Sequence, residues 1–129
     1  MACILVIDDD RSIFHAIEVT LAPPHYMIWA EDIPRTYEVI RDVRPDLIIL
    51  DYVLGETTTI PAFLAELRRT LPSTPILVLT AVDSAHVAVE AFRSGADDFL
   101  GKPFDAQVLQ QRVAALLAGR RPEPPALAE

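Results

Sequence analysis

Asp8, Asp9, Asp51, Thr80 and Lys102 share one property: each lies at or just past the end of an apolar run. Ile4-Leu5-Val6-Ile7 leads into Asp8-Asp9-Asp10, Leu47-Ile48-Ile49-Leu50 into Asp51, and Ile76-Leu77-Val78-Leu79 into Thr80, while the shorter Phe99-Leu100 precedes Lys102-Pro103. If these run ends meet, three carboxylates crowd together, repel one another and raise at least one pKa. A hard divalent cation relieves that repulsion, and Mg²⁺ favours a few carboxylates completed by water and substrate oxygens. Lys102 adds a compact positive charge suited to a phosphoryl oxygen, and Thr80 adds a hydroxyl donor. The combined chemistry is phosphoryl transfer, with Asp51 as nucleophile forming an acyl phosphate. The metal and Lys102 would offset the charge that builds on the equatorial oxygens.

These residues can meet only if the runs are neighbours in one sheet. Short apolar runs read as strands buried on both faces, as in a parallel sheet covered by helices, and ligands in such sheets bind outside the carboxyl ends of the strands. Helical patterns lie between the runs. After Asp10 as N-cap, Ile13, Ala16, Ile17, Thr20 and Leu21 keep one face until Pro23-Pro24. Tyr26 to Ala30 predicts a further strand, and Pro34 opens a helix carrying Tyr37, Ile40 and Val43 that ends before Pro45. Ile60, Phe63, Leu64, Leu67 and Leu71 form an amphipathic stripe. Ser84 caps the next helix, with Ala85, Ala88, Val89 and Phe92 inward and His86, Glu90 and Arg93 outward, and Gly95 turns its C-terminus. Asp105 caps a last helix with Val108 or Leu109, Val113, Leu116 and Leu117 inward, ended by Gly119. Five strands alternating with five helices predict an α/β, doubly wound parallel sheet.

The 129 residues, 51% of them apolar, suffice for one domain with a packed core. No apolar stretch approaches a membrane span, and no signal-peptide pattern opens the chain, so a cytoplasmic location is expected. Cys3 is the single cysteine, sits inside the first apolar run and reads as a small core residue. The formal charge is −8, to which residues 119–129 contribute two Arg and two Glu and therefore nothing. Backbone phosphate binding needs a basic face, so direct nucleic-acid binding by this domain is not expected. The Pro-rich stretch over 119–129 reads as a flexible tail or linker stub, which leaves 1–118 as the folded domain.

Ile4–Asp10, Asp46–Asp51, Ile76–Ala81 and Gly95–Phe104 (Gly-Ala-Asp-Asp-Phe-Leu-Gly-Lys-Pro-Phe) together resemble the receiver domain of two-component response regulators, in order and spacing, across roughly residues 2–118. The resemblance implies a flavodoxin-like fold with strand order 2-1-3-4-5. It implies that Asp51 accepts a phosphoryl group from a histidine kinase, with Mg²⁺ held by Asp8, Asp9, Asp51 and the backbone carbonyl of Val53. Thr80 would bond the phosphoryl group and draw its loop inward, and Phe99 would turn into the vacated space. Lys102–Pro103 is typically cis in this family, which would aim the lysine into the site. The output would pass through the fourth helix, fifth strand and fifth helix to an output domain or effector. Such a domain catalyses only its own phosphoryl uptake and loss, and is no enzyme in the ordinary sense.

The chain departs from the family pattern just after the acceptor. Gly55 stands where proline is common and Thr59 where glycine is expected, so the loop from Gly55 to Thr59 should differ in conformation. Apolar Val53 and Val82 flank the site where relatives often carry polar groups, which predicts slow loss of the phosphoryl group. Phe99 lacks the hydroxyl of the commoner tyrosine; it reads as a switch by shape or as an ordinary core residue. Asp97, Asp98 and Arg112 resemble receivers that dimerise by ion pairs, against the reading of a solvated charged surface. Asp10 reads as a helix cap, Trp29 as packing, and His15, His25 and His86 as surface or satisfied histidines. A degenerate receiver acting as a phosphorylation-independent scaffold is the alternative. A Mg²⁺-dependent phosphatase would want an acid where Val53 stands, and a flavodoxin a Ser/Thr/Gly-rich loop after the first strand.

Overall fold

A computed structural model describes residues 1–54, 60–81 and 85–123. Five parallel strands, β1 (Cys3–Ile7), β2 (Tyr26–Ala30), β3 (Leu47–Asp51), β4 (Ile76–Thr80) and β5 (Asp98–Gly101), form one sheet in the order β2-β1-β3-β4-β5. The helices α1 (Arg11–Leu21), α2 (Ile33–Asp42), α3 (Ile60–Thr70), α4 (Ala85–Ser94) and α5 (Ala106–Leu117) alternate with them. The chain has the doubly wound architecture expected from its apolar runs, in the flavodoxin-like strand order that the receiver resemblance implied. β1, β3 and β4 are buried along their whole length, whereas the edge strands β2 and β5 are partly open. That difference explains why β2 and β5 carry the weaker apolar signal.

Strand side chains alternate faces, and the core divides accordingly. Ile4, Val6, Leu47, Ile49, Leu77 and Leu79 pack against Ile17 and Leu21 of α1 and Leu109, Val113 and Leu116 of α5. Leu5, Ile7, Ile48, Leu50, Ile76 and Val78 pack on the other side against Val39 of α2, Ile60, Phe63, Leu64 and Leu67 of α3, and Ala91 of α4.

Helix ends follow local chemistry. Asp10 accepts from the Ser12 amide and Asp105 from those of Gln107 and Val108. α2 begins one residue before Pro34, capped by Asp32, whose side chain accepts from Arg35 N. α4 differs from its predicted face: Ala85 is exposed, Phe92 is half-buried, and Ala91 is buried with Ala88 and Val89. The i, i+3 pair of alanines lets the helix approach the sheet, while Ala85 sits in the first turn, clear of it. Gly95 has φ +125°, a conformation that favours glycine. The Ser84 cap, Val82, the Gly55–Thr59 loop and residues 124–129 lie outside the described residues.

Candidate functional site

Register brings the run ends together. Ile7 pairs with Leu50, so Asp8 stands beside Asp51; Asp51 pairs with Leu79, and Thr80 with Gly101, so Lys102 follows one step beyond Thr80. All five residues therefore lie along the carboxyl edge of the sheet. Among the described residues, Asp8, Asp9 and Asp51 form a group in which one carboxylate oxygen from each lies within 4.8 Å of the others. Lys102 reaches it from β5: its Nζ lies 3.0 Å from Asp8 Oδ2 and 3.4 Å from Asp51 Oδ2. The Lys102–Pro103 bond is cis, and Lys102 N donates to the Thr80 carbonyl at 2.8 Å.

Burial divides the three acids. Asp8 and Asp51 are 2% and 6% exposed, whereas Asp9 faces solvent. Asp51 Oδ1 accepts from Val53 N at 3.1 Å. Burial, joined by the charge of Asp8, raises the Asp51 pKa to about 6, against the opposing pull of the Val53 amide and of Lys102. Asp8 is held more fully: Oδ1 accepts from Asp10 N at 2.8 Å, its own N–H donates to the Ala30 carbonyl at 3.1 Å, and its carbonyl accepts from Trp29 Nε1 at 2.7 Å. A hard oxygen donor set this tight fits a small divalent cation.

The family model described as response regulator receiver domain matches residues 4–114. The chain belongs to the response regulator receiver domain family. Response regulator MprA of Mycobacterium avium (strain 104) is 37% identical over 121 residues, which are 93% of this chain and 53% of that protein. The receiver domain thus spans about half the length of the curated relatives it matches. The receiver domain of Francisella response regulator 1452 superposes with a TM-score of 0.82 at 29% identity, covering 92% of this chain and 98% of that one. NtrX from Brucella abortus gives 0.85 at 31% identity, over 92% of this chain and 27% of that one. The degenerate-receiver reading is not favoured.

The remaining predicted residues fall as follows. Thr80 is fully buried at the end of β4, and Phe99 is half-buried, packed against the α2–α3–α4 core. Val53 is 48% exposed, two residues past Asp51. Asp97, Asp98 and Arg112 are engaged within the chain. Asp98 is buried and its Oδ1 accepts from Arg112 at 2.9 Å, so it is no solvated surface charge. Asp97 instead meets Arg68 at 2.5 Å and Arg121 at 2.9 Å, and a bridge to a second copy through Asp97 has to displace one of them. His25 Nδ1 accepts from Ala2 N at 3.1 Å, a satisfied histidine. Among the described residues, no helix is long and apolar enough to cross a membrane.

Three contacts, two near the site and one at the opposite edge of the sheet, carry no signal in spacing. Trp29, read as packing, bonds the Asp8 carbonyl. The Tyr52 hydroxyl donates to Glu90 on α4, tying that helix to the residue after Asp51, and both burial and this bond raise the tyrosine pKa. Arg68 closes the far end of the sheet through Gly95 and Asp97.

Proposed function

We propose that this receiver domain takes a phosphoryl group from a histidine kinase onto Asp51 in a Mg²⁺-dependent reaction and passes the change to the face built by α4, β5 and α5. One observation carries the reading: three carboxylates, one oxygen from each within 4.8 Å of the others, with Lys102 Nζ 3.4 Å from Asp51 Oδ2. Above about pH 6 Asp51 is ionised, so a carboxylate oxygen can attack phosphorus. The P–O bond forms as the bond from phosphorus to the donor's imidazole nitrogen breaks, and that nitrogen keeps the electron pair. Lys102, already shared between Asp8 and Asp51, turns to a phosphoryl oxygen. Mg²⁺ held by Asp8, Asp9, Asp51 and the Val53 carbonyl supplies neutralising charge for the phosphoryl oxygens. Thr80 bonds the phosphoryl group, and Phe99, two residues past Asp97 on the edge strand, repacks in response. The domain acts on no separate small-molecule substrate.

The rest of the reading follows from this one: a cytoplasmic domain over residues 1–118, a tail from 119, and an output domain, an effector or a second copy of the chain on the α4–β5–α5 face, with no direct nucleic-acid contact. Light scattering with and without a phosphoryl mimic decides the homodimer; an unchanged mass removes it.

Intact mass spectrometry after incubation with Mg²⁺ and a small phosphodonor should show one added phosphoryl group, absent in Asp51→Asn and in EDTA. No label at any Mg²⁺ concentration would favour the phosphorylation-independent scaffold. With apolar, exposed Val53 beside the acceptor, few groups can orient an attacking water, and the label should persist for minutes or longer; a half-life of seconds at room temperature would contradict this.

A further inference from the structure

Resting on the metal-dependent reading above, we propose that Trp29 is a positioning residue for the acid pair, its indole N–H holding the Asp8–Asp9 peptide in the orientation that aims Asp9 at the cation. The Asp8 carbonyl belongs to the planar peptide unit that leads into Asp9. Fixing that carbonyl fixes the plane, and with it the direction in which Asp9 leaves the chain. Trp29 Nε1 does so at 2.7 Å, while the neighbouring Ala30 carbonyl takes the Asp8 N–H at 3.1 Å. Both backbone groups of Asp8 are thus held by consecutive residues at the end of β2. Asp9 is exposed, so no surrounding core sets its course and the backbone must.

The indole is itself held in place. It stacks on Phe14 with ring centroids 5.6 Å apart and planes 18° from parallel, and the Arg11 guanidinium carbon lies 5.9 Å from the ring centroid. Phe14 and Arg11 belong to α1, the helix that the acid loop enters. One ring therefore ties the end of β2, the acid loop and the first turn of α1 into a single unit. Packing alone would need the ring's faces; it would not need the N–H, which is donor only and here finds the carbonyl between the two metal-binding acids.

Trp29 is the only tryptophan, so a tryptophan auxotroph fed β-(3-benzothienyl)alanine replaces N–H by sulfur at this position alone and keeps the ring's shape and stack. Mg²⁺ is titrated by calorimetry, and the Mg²⁺ dependence of phosphoryl labelling is measured beside it. The analogue and Trp29→Phe should each weaken Mg²⁺ binding about fivefold, as expected for one net hydrogen bond. The half-saturating Mg²⁺ for labelling should shift by the same factor, with the plateau rate unchanged. Phe14→Leu, which removes the stack and keeps the donor, should lower Tm yet leave the Mg²⁺ dissociation constant within about twofold. Unchanged Mg²⁺ affinity in a folded analogue, or an equal shift in Phe14→Leu, overturns the positioning role alone. An unsubstituted protein that binds no Mg²⁺ overturns the metal-dependent reading, and this inference with it.

Discussion

At the scale of single residues, the site trades stability for reactivity at Asp51. Its carboxylate is nearly enclosed and still must ionise to attack, and its pKa of about 6 in the folded chain records that conflict against an ordinary value of 3.8. Between those two values the folded chain keeps a proton that the unfolded chain has released, so the contribution of Asp51 to stability falls as pH rises through that window and is flat above it. In EDTA, the Tm of Asp51→Asn should rise relative to the wild type between about pH 4 and pH 6.5, then hold a constant lead. A lead that is the same at pH 4 and pH 7 would contradict the assignment. The position of Asp51 at the carboxyl edge was legible in the sequence, since a carboxylate ending a buried strand has few structural uses. Its shifted titration was not, because that depends first on how deeply the fold buries the carboxylate, and then on Asp8 and the opposing Lys102, which arrive from strands far away in the chain.

At the scale of elements, capping and periodicity were legible because they are local. Asp10 and Asp105 each bond an amide two residues on, and the α3 stripe repeats within a single helix. The Arg68 clasp is the opposite case. From the last turn of α3 it donates to the carbonyls of Leu71, Pro72 and Thr74, to Gly95 at the end of α4, and to Asp97 before β5. Gly95 lies 27 residues away, beyond the reach of any helical or strand period. Arg68→Ala should cost about 3 kcal/mol in urea unfolding, since it leaves carbonyls and a part-buried carboxylate without their partner. Arg68→Lys should recover less than half of that, because an ammonium lacks the planar fork; full recovery would reduce the clasp to simple charge pairing. Gly95→Ala should also destabilise, by about 1–3 kcal/mol, since its φ is +125° and an added Cβ would meet Arg68 Cβ at 3.0 Å.

At the scale of the whole molecule, 19 acidic against 11 basic residues leave the chain strongly negative, and three of the acids are held together at one edge. A bound divalent cation should therefore stabilise the entire fold. Mg²⁺ tenfold above its dissociation constant adds about 1.4 kcal/mol by mass action, roughly 3–6 °C in Tm at this chain length. Sodium at matched ionic strength should give less, and Asp9→Asn or Asp51→Asn should lose the increment; equal gains from the two salts would point to general screening.

The division of the core by the sheet has a further consequence. Toward the carboxyl edge, the alternation that sends Val6 and Ile49 toward α1 and α5 sends Asp8 and Asp51 the same way, while Thr80 and Phe99 follow Val78 toward α3 and α4. The acids and the Thr80–Phe99 pair thus lie on opposite sides of the buried sheet and come together at its carboxyl edge. Substitutions on either side, Leu109 in one and Leu64 in the other, share no partner and should act additively. Either side of the core can then be repacked while the other keeps its arrangement.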